Sequence, residues 1–114
     1  MDPDSIQDLF QDLGPVRTRR MFGGQGIYLH DRIFALEIGG EIFLKADAET
    51  RDRFEAAGSR AFTYADKTGR VATMSYWLLP SVAIDDPAEA AIWGRMALEA
   101  AERAERAKKP KTKR

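Results

Sequence analysis

The chain has 114 residues, enough for one ordinary domain that buries roughly two thirds of the surface its unfolded form exposes. The absence of cysteine and the presence of one histidine, His30, exclude disulfides, thiolate metal sites and any centre built on several imidazoles, so neither a metal nor a cofactor is expected. Formal charge sums to zero, but five of the 18 cations (Lys108, Lys109, Lys111, Lys113 and Arg114) fall in the last seven residues, leaving 13 basic against 18 acidic side chains before them, a net −5.

A body of that sign repels a polyanion over a Debye length of roughly 8–10 Å, so nucleic acid is not its default partner. The first residues are acidic, with no cationic start leading into an apolar run, and no stretch approaches the ~20 apolar residues of a membrane span. A cytoplasmic protein without membrane contact is expected.

Asp2 is placed to cap a first helix with Pro3 at its first position. Ile6, Leu9, Phe10 and Leu13 then recur at helical spacing until Gly14 and Pro15 stop it. Residues 16–22 read as extended and lead into three glycines within four positions, Gly23, Gly24 and Gly26, where φ > 0 and the close approach of another surface are expected. Three strand-like runs follow at 26–29, 32–38 and 41–45, separated by His30-Asp31 and by Gly39-Gly40, both of two-residue hairpin length.

Asp47 stands where an N-cap belongs, predicting a short helix over 48–57 anchored by Phe54 and stopped by Gly58. Residues 62–64 and 71–79 flank the polar turn Asp66-Lys67-Thr68-Gly69 and read as a second hairpin, closed by Pro80. In the longer strand Ala72, Met74, Tyr76 and Leu78 share one face; if they line the core, Trp77 stands on the outer side as a partner-binding residue.

Asp86-Pro87 repeats the cap-plus-proline signal and opens a final helix to about Ala107, with Trp93, Met96, Ala97, Ala100 and Ala104 on one stripe. Glu99 with Arg103, Glu102 with Arg106 and Glu105 with Lys109 place acid four residues before base. Residues 1–107 thus form one domain and 108–114 a basic tail. The expected fold class is α+β in two layers: helix, three-stranded meander, helix, hairpin, helix, packed as helices on an antiparallel sheet.

Arg19-Arg20-Met21-Phe22-Gly23-Gly24-Gln25-Gly26-Ile27-Tyr28 is the most specific stretch, and Leu44-Lys45-Ala46-Asp47, Phe54 with Gly58, Phe62 with Tyr64, Tyr76 with Pro80, and Trp93 follow in order. Together they resemble the N-terminal domain of the TfoX/Sxy competence regulators over about residues 5–104. The resemblance implies a fold similar to type III secretion chaperones and a role in regulating competence genes, alongside the cyclic-AMP receptor protein. Full-length regulators of that family add a second helical domain, so a stand-alone copy of the first is expected here.

For function, the motif residues Arg19, Arg20, Met21, Phe22, Gly23, Gly24, Gly26, Tyr28 and Lys45, with Trp77, are candidates for partner binding. An anion cradle of backbone N–H groups at residues 23–26 competes with a plain glycine hairpin, and neither nucleotide-binding glycine pattern is present. Gly23-Gly24-Gln25 also matches the tripeptide of peptide-chain release factors, a match short enough to arise by chance.

Arg17, Arg19 and Arg20 form either a guanidinium patch for phosphate or a carboxylate partner, or salt bridges to the acidic body. With Lys108, Lys109, Lys111, Lys113 and Arg114 they make up the alternative, a DNA-associated accessory protein. Catalysis lacks a constellation: His30 sits in a turn, Asp85-Asp86 reads as a helix cap, and Glu37 with Glu41 reads as strand-edge charge. The residues favour a non-enzymatic regulatory domain with a protein partner, and a long strand at a sheet edge (32–38 or 71–79) would favour a homodimer.

Overall fold

The computed structural model describes residues 1–21, 23–65 and 67–108. Asp2 accepts a hydrogen bond from the Ser5 amide at 2.8 Å and caps α1 (Pro3–Leu9), whose Ile6 and Leu9 are buried. The chain then turns through residues 10–13 and enters β1 (Arg17–Met21), β2 (Gly24–Leu29), β3 (Arg32–Ile38) and β4 (Glu41–Lys45), paired antiparallel in sequence. The meander thus has four strands where three were expected, because residues 17–21 are a full partner of β2 and pair with it from Arg17 opposite Tyr28 to Met21 opposite Gly24. His30 and Asp31, at φ 50° and 71°, and Gly39 and Gly40, at 61° and 87°, take the backbone that two-residue hairpins with matched twist require.

The second helix is shorter than its sequence pattern. Asp47 heads a turn in which its carboxylate accepts from the Glu49 amide and the Thr50 hydroxyl, and α2 runs only over Arg51–Ala56. β5 (Ala61–Ala65) and β6 (Val71–Leu78) form the hairpin, and β6 inserts beside β4, giving the strand order β1-β2-β3-β4-β6-β5. The edges are therefore β1 and β5. The two longest strands, either of which would favour a homodimer if it lay at an edge, are both interior.

A 3₁₀ turn (Ser81–Ala83) leads to α3 (Pro87–Lys108), capped by Asp86, which accepts from the amides of Ala88 and Glu89. Its buried stripe is Ala90, Ala91, Gly94, Ala97, Ala100 and Ala101, so the helix lies close against β3 and β4. Phe10, Phe34, Leu44 and Phe54 fill the space between the helices and the sheet, with Phe10 edge-on to Phe34 at 5.2 Å. Of the expected helical ion pairs, Glu102 with Arg106 forms within α3, at 3.7 Å. Arg103 reaches to Asp47 and Glu105 to Arg32, and the Lys109 partner expected for Glu105 lies outside the described residues.

The glycines divide by mechanism. Gly23 alone of the three takes positive φ, 76°, with nothing within 4 Å of a would-be Cβ. Gly24 and Gly26 do not, which corrects the expectation at both. A Cβ on Gly24 would sit 2.1 Å from the Glu37 carbonyl oxygen, whereas one on Gly26 would meet the flexible ends of Met21 and Ile33 at 2.9 and 3.0 Å. Gly24→Ala should therefore destabilise most, because backbone must move. Gly23→Ala should cost about 1 kcal/mol for its left-handed backbone, and Gly26→Ala least. Thermal unfolding of the three variants checks the order, and a Gly26 variant less stable than the Gly24 variant would refute it.

Candidate functional site

The strands carry apolar side chains on both faces, but helices cover only one. Every buried helix side chain that joins an apolar cluster joins the one containing Phe34 and Leu44. Leu36, Phe43 and Tyr76 form a second cluster on the opposite face, 2%, 2% and 8% exposed, flanked by half-buried Met21, Ile33, Ile38, Phe62 and Leu78. Among the described residues this cluster is made of strand side chains alone. Phe43 and Phe62 pack at 4.9 Å, and the Arg60 guanidinium, paired with Glu41, lies 5.9 Å from the Phe43 ring.

Four candidate residues fall on or beside this face. Met21 and Gly26 lie near its β1 side, and Tyr28 and Lys45 at the end over which α3 projects. The Lys45 ammonium stands 5.3 Å from the Tyr76 ring centroid and donates to the Ser75 hydroxyl at 2.8 Å. Burial pushes the Lys45 ammonium below its ordinary pKa, and the charge of Lys108 adds to that. Burial also pushes the Tyr76 phenol up, with Tyr28 contributing.

Trp77 is on the other side. Alternation along β6 is as expected, but the face assignment is reversed: Trp77 packs against the helix-covered core, 6.2 Å from the Phe54 ring, while Tyr76 and Leu78 lie on the helix-free face. The reason is that α2 and α3 bring Phe54 and Trp93 together at 4.9 Å, an aromatic pair that takes the indole into its own layer. The side chains of Ala72 and Met74 lie outside the described set.

Arg17 pairs with Asp31 at 2.6 Å, both side chains largely exposed. Arg19 and Arg20 are exposed on the edge strand and make no ion pair among the described residues. Phe22, Lys109, Lys111, Lys113 and Arg114 lie outside the described residues; Lys108 is the last residue of α3. Gly24 to Gly26 are part of an interior strand paired on both sides, so their backbone serves the ladder. The Gln25 amide donates to the Met1 carbonyl oxygen at 2.7 Å and to Glu37 at 2.9 Å, a structural role.

Glu37 departs from the surface charge expected of it. It is 5% exposed and accepts from Gln25, from the Gly40 amide at 2.8 Å and from the Met1 ammonium at 3.1 Å. Burial acts to raise its pKa, but these donors outweigh it and hold the carboxyl below the usual range. His30 is exposed in its turn, and no group of three or more metal-ligating side chains occurs among the described residues.

Sequence reasoning missed Ile33, Leu36, Ile38 and Phe43 as members of a second face. The signal was present: residues 33–36 and 42–44 are unbroken apolar runs, the pattern of strands buried on both sides.

The molecule is thus an α+β domain whose antiparallel sheet is covered by helices on one face and carries an apolar cluster on the other. The profile of the TfoX N-terminal domain matches residues 8–101, and the chain belongs to that family. It is similar to the DNA transformation protein TfoX1 of Aliivibrio fischeri (strain ATCC 700601 / ES114), with 35% identity over 65 residues. That stretch covers 57% of this chain and 31% of the relative, so less than a third of the longer protein is matched. No described helix is long and apolar enough to cross a membrane.

The Lys45-Ala46-Asp47 segment is held by one ion pair. Arg103 donates from Nε to Asp47 at 2.6 Å and from a terminal nitrogen at 3.1 Å, while its Nε lies 3.2 Å from Glu49. These hydrogen bonds from Arg103, foremost, hold the Asp47 carboxyl low. Because the folded pKa values of Asp47 and Glu37 lie below their unfolded values of ~4, their stabilisation is complete above that pH and is lost as pH falls through the folded values. Asp47→Asn and Glu37→Gln should each lower stability at pH 7, by about 1–2 kcal/mol for Asp47, and flatten the acid limb. Melting temperature against pH from 7 to 2 checks this; an acid limb as steep in both variants as in the parent would refute it.

Proposed function

We propose that this chain is a non-enzymatic regulatory domain acting in the cytoplasm, and that it serves control of competence genes through a protein partner docked on the helix-free face of its sheet. The observation that carries this reading is the second apolar cluster, three buried side chains ringed by five half-buried ones, with no helix side chain in it among the described residues. The half-buried rim, Met21, Ile33, Ile38, Phe62 and Leu78, is the apolar surface that a docked partner would cover. Family membership and the name of the A. fischeri relative supply the link to DNA transformation.

The test uses a transformable host from which the gene has been removed. Restoring the parent chain should restore transcription of DNA-uptake genes. Leu78→Ser and Ile38→Ser, which alter half-buried rim positions, should fail to restore it while folding at 37 °C. If uptake genes are transcribed equally with and without the gene, the reading is wrong.

A second reading is favoured by Arg19 and Arg20, exposed on β1 without ion pairs among the described residues, and by Lys108 at the α3 terminus. In it the chain is a DNA-associated accessory protein. Duplex DNA binding would then fall with salt at a log–log slope of several units, and removal of residues 109–114 with Arg19→Gln and Arg20→Gln would abolish it. A parent chain whose partner binding ignores salt, and which leaves duplex DNA free at 50 mM salt, excludes this reading.

A further inference from the structure

Three residues of the family resemblance that lie far apart in sequence, Tyr28, Lys45 and Tyr76, meet at one open cleft of about 330 Å³. Arg32 joins them from β3, and Ala104 and Lys108 close the cleft from the last turns of α3. We propose that this cleft is a binding site for a phosphate group, with Lys45 and Lys108 as its cationic ligands and the Tyr28 and Tyr76 hydroxyls as further donors.

The electrostatics favour an anion. Two carboxylates also line the cleft, but each has a cation of its own: Asp31 pairs with Arg17 and Glu105 with Arg32. Lys45 and Lys108 are near enough to repel, and neither is in an ion pair among the described residues. The only acceptor hydrogen-bonded to the Lys45 ammonium among those residues is the neutral Ser75 hydroxyl. Arg32 adds a second sign of unmet donors, since its buried Nε has no hydrogen-bond partner. Donors thus exceed the acceptors supplied here. An entering anion would remove the lysine repulsion without displacing a protein carboxylate.

The donor geometry favours phosphate over carboxylate. A planar carboxylate is best met by the two-pronged edge of a guanidinium, and one of the two terminal nitrogens of Arg32 is already held by Glu105. What remains are the Arg32 Nε and point-like ammonium and hydroxyl donors, arriving from different strands and from α3, an arrangement suited to a tetrahedral group with several acceptor oxygens. The cleft, against the ~30 Å³ of one liquid water, has room for a phosphate ester with part of its hydration shell. The phosphate has two sources, a small phosphate ester or the backbone of a nucleic acid. The cleft adjoins the apolar docking face and shares Ile33 and Tyr76 with it, but phosphate binding is read without a protein partner, so it stands or falls apart from the regulatory reading.

The full chain, labelled with ¹⁵N, is titrated with inorganic phosphate against sodium chloride of equal ionic strength, with amide shifts followed by NMR. Saturable one-to-one binding with Kd about 1 mM or tighter is expected, centred on residues 28, 32, 45, 76 and 108. Lys45→Gln and Lys108→Gln should each weaken it about tenfold. Lys108 is exposed at the helix terminus, so its variant keeps the fold even if Lys45→Gln does not. Competition then identifies the source: displacement of phosphate by short duplex DNA at lower phosphate concentration assigns the backbone, and displacement by adenosine monophosphate alone assigns a small ester. Shifts that do not saturate, or a Kd unchanged by Lys108→Gln, would overturn the proposal.

Discussion

One long helix lies against the middle of a six-stranded sheet, and it can do so only because the side chains beneath it are small. Ala90, Gly94, Ala97, Ala100 and Ala101 bring the α3 backbone down onto β3 and β4, leaving the large residues to come from the other partners, Phe34 and Leu44 from the sheet and Phe10 from the turn after α1. A methyl group on Gly94 would already stand 2.9 Å from Leu13 and 3.5 Å from Phe10. The other elements adjust to that close approach: α1 tucks beside α3, α2 sits over β6, and the aromatic trio of Phe54, Trp77 and Trp93 fills the gap between them.

Closeness on one side also sets what happens on the other. The buried side chains of the three helices that join an apolar cluster are used on the face they share, so the apolar residues of β3, β4 and β6 that point away pack, among the described residues, with strand neighbours such as Met21 and Phe62. The ion pairs reinforce this arrangement. Arg103 and Glu105, which could pair along α3, reach down to Asp47 and Arg32 and tie the helix to the strand ends. Such partly exposed pairs contribute modestly to stability, but their geometry fixes where the last turns of α3 lie, and hence brings Lys108 near Lys45. The cleft follows from the same placement of α3.

The candidate site was legible in parts. The motif residues Met21, Gly26, Tyr28 and Lys45 fall on or next to the helix-free face, and Gly24 is a point of close approach. The reason for Gly24 and Gly26 was misjudged: sequence shows that a side chain is absent, not whether backbone angle or neighbouring atoms demand it. Trp77 was placed on the wrong face, since alternation groups Tyr76 with Leu78 but carries no sign saying which group meets the helices. Glu37 looked like an edge charge because its three donors come from Met1, Gln25 and Gly40, two of them distant in the chain.

By itself the sequence determined what depends on neighbours a few residues apart. The caps at Asp2 and Asp86, the two-residue turns at His30-Asp31 and Gly39-Gly40, the opposition of Trp77 to Tyr76 and Leu78 along β6, and Ala97 and Ala100 on one stripe of α3 all follow from local backbone preference and periodicity. Tertiary structure decided the rest: that β6 inserts beside β4 and leaves β1 and β5 as edges, that α2 begins at Arg51, that Arg103 turns to Asp47, and which sheet face the helices cover. Each of those outcomes is a competition between contacts distant in sequence, and the winner is set by the fit of whole layers, which no local pattern encodes.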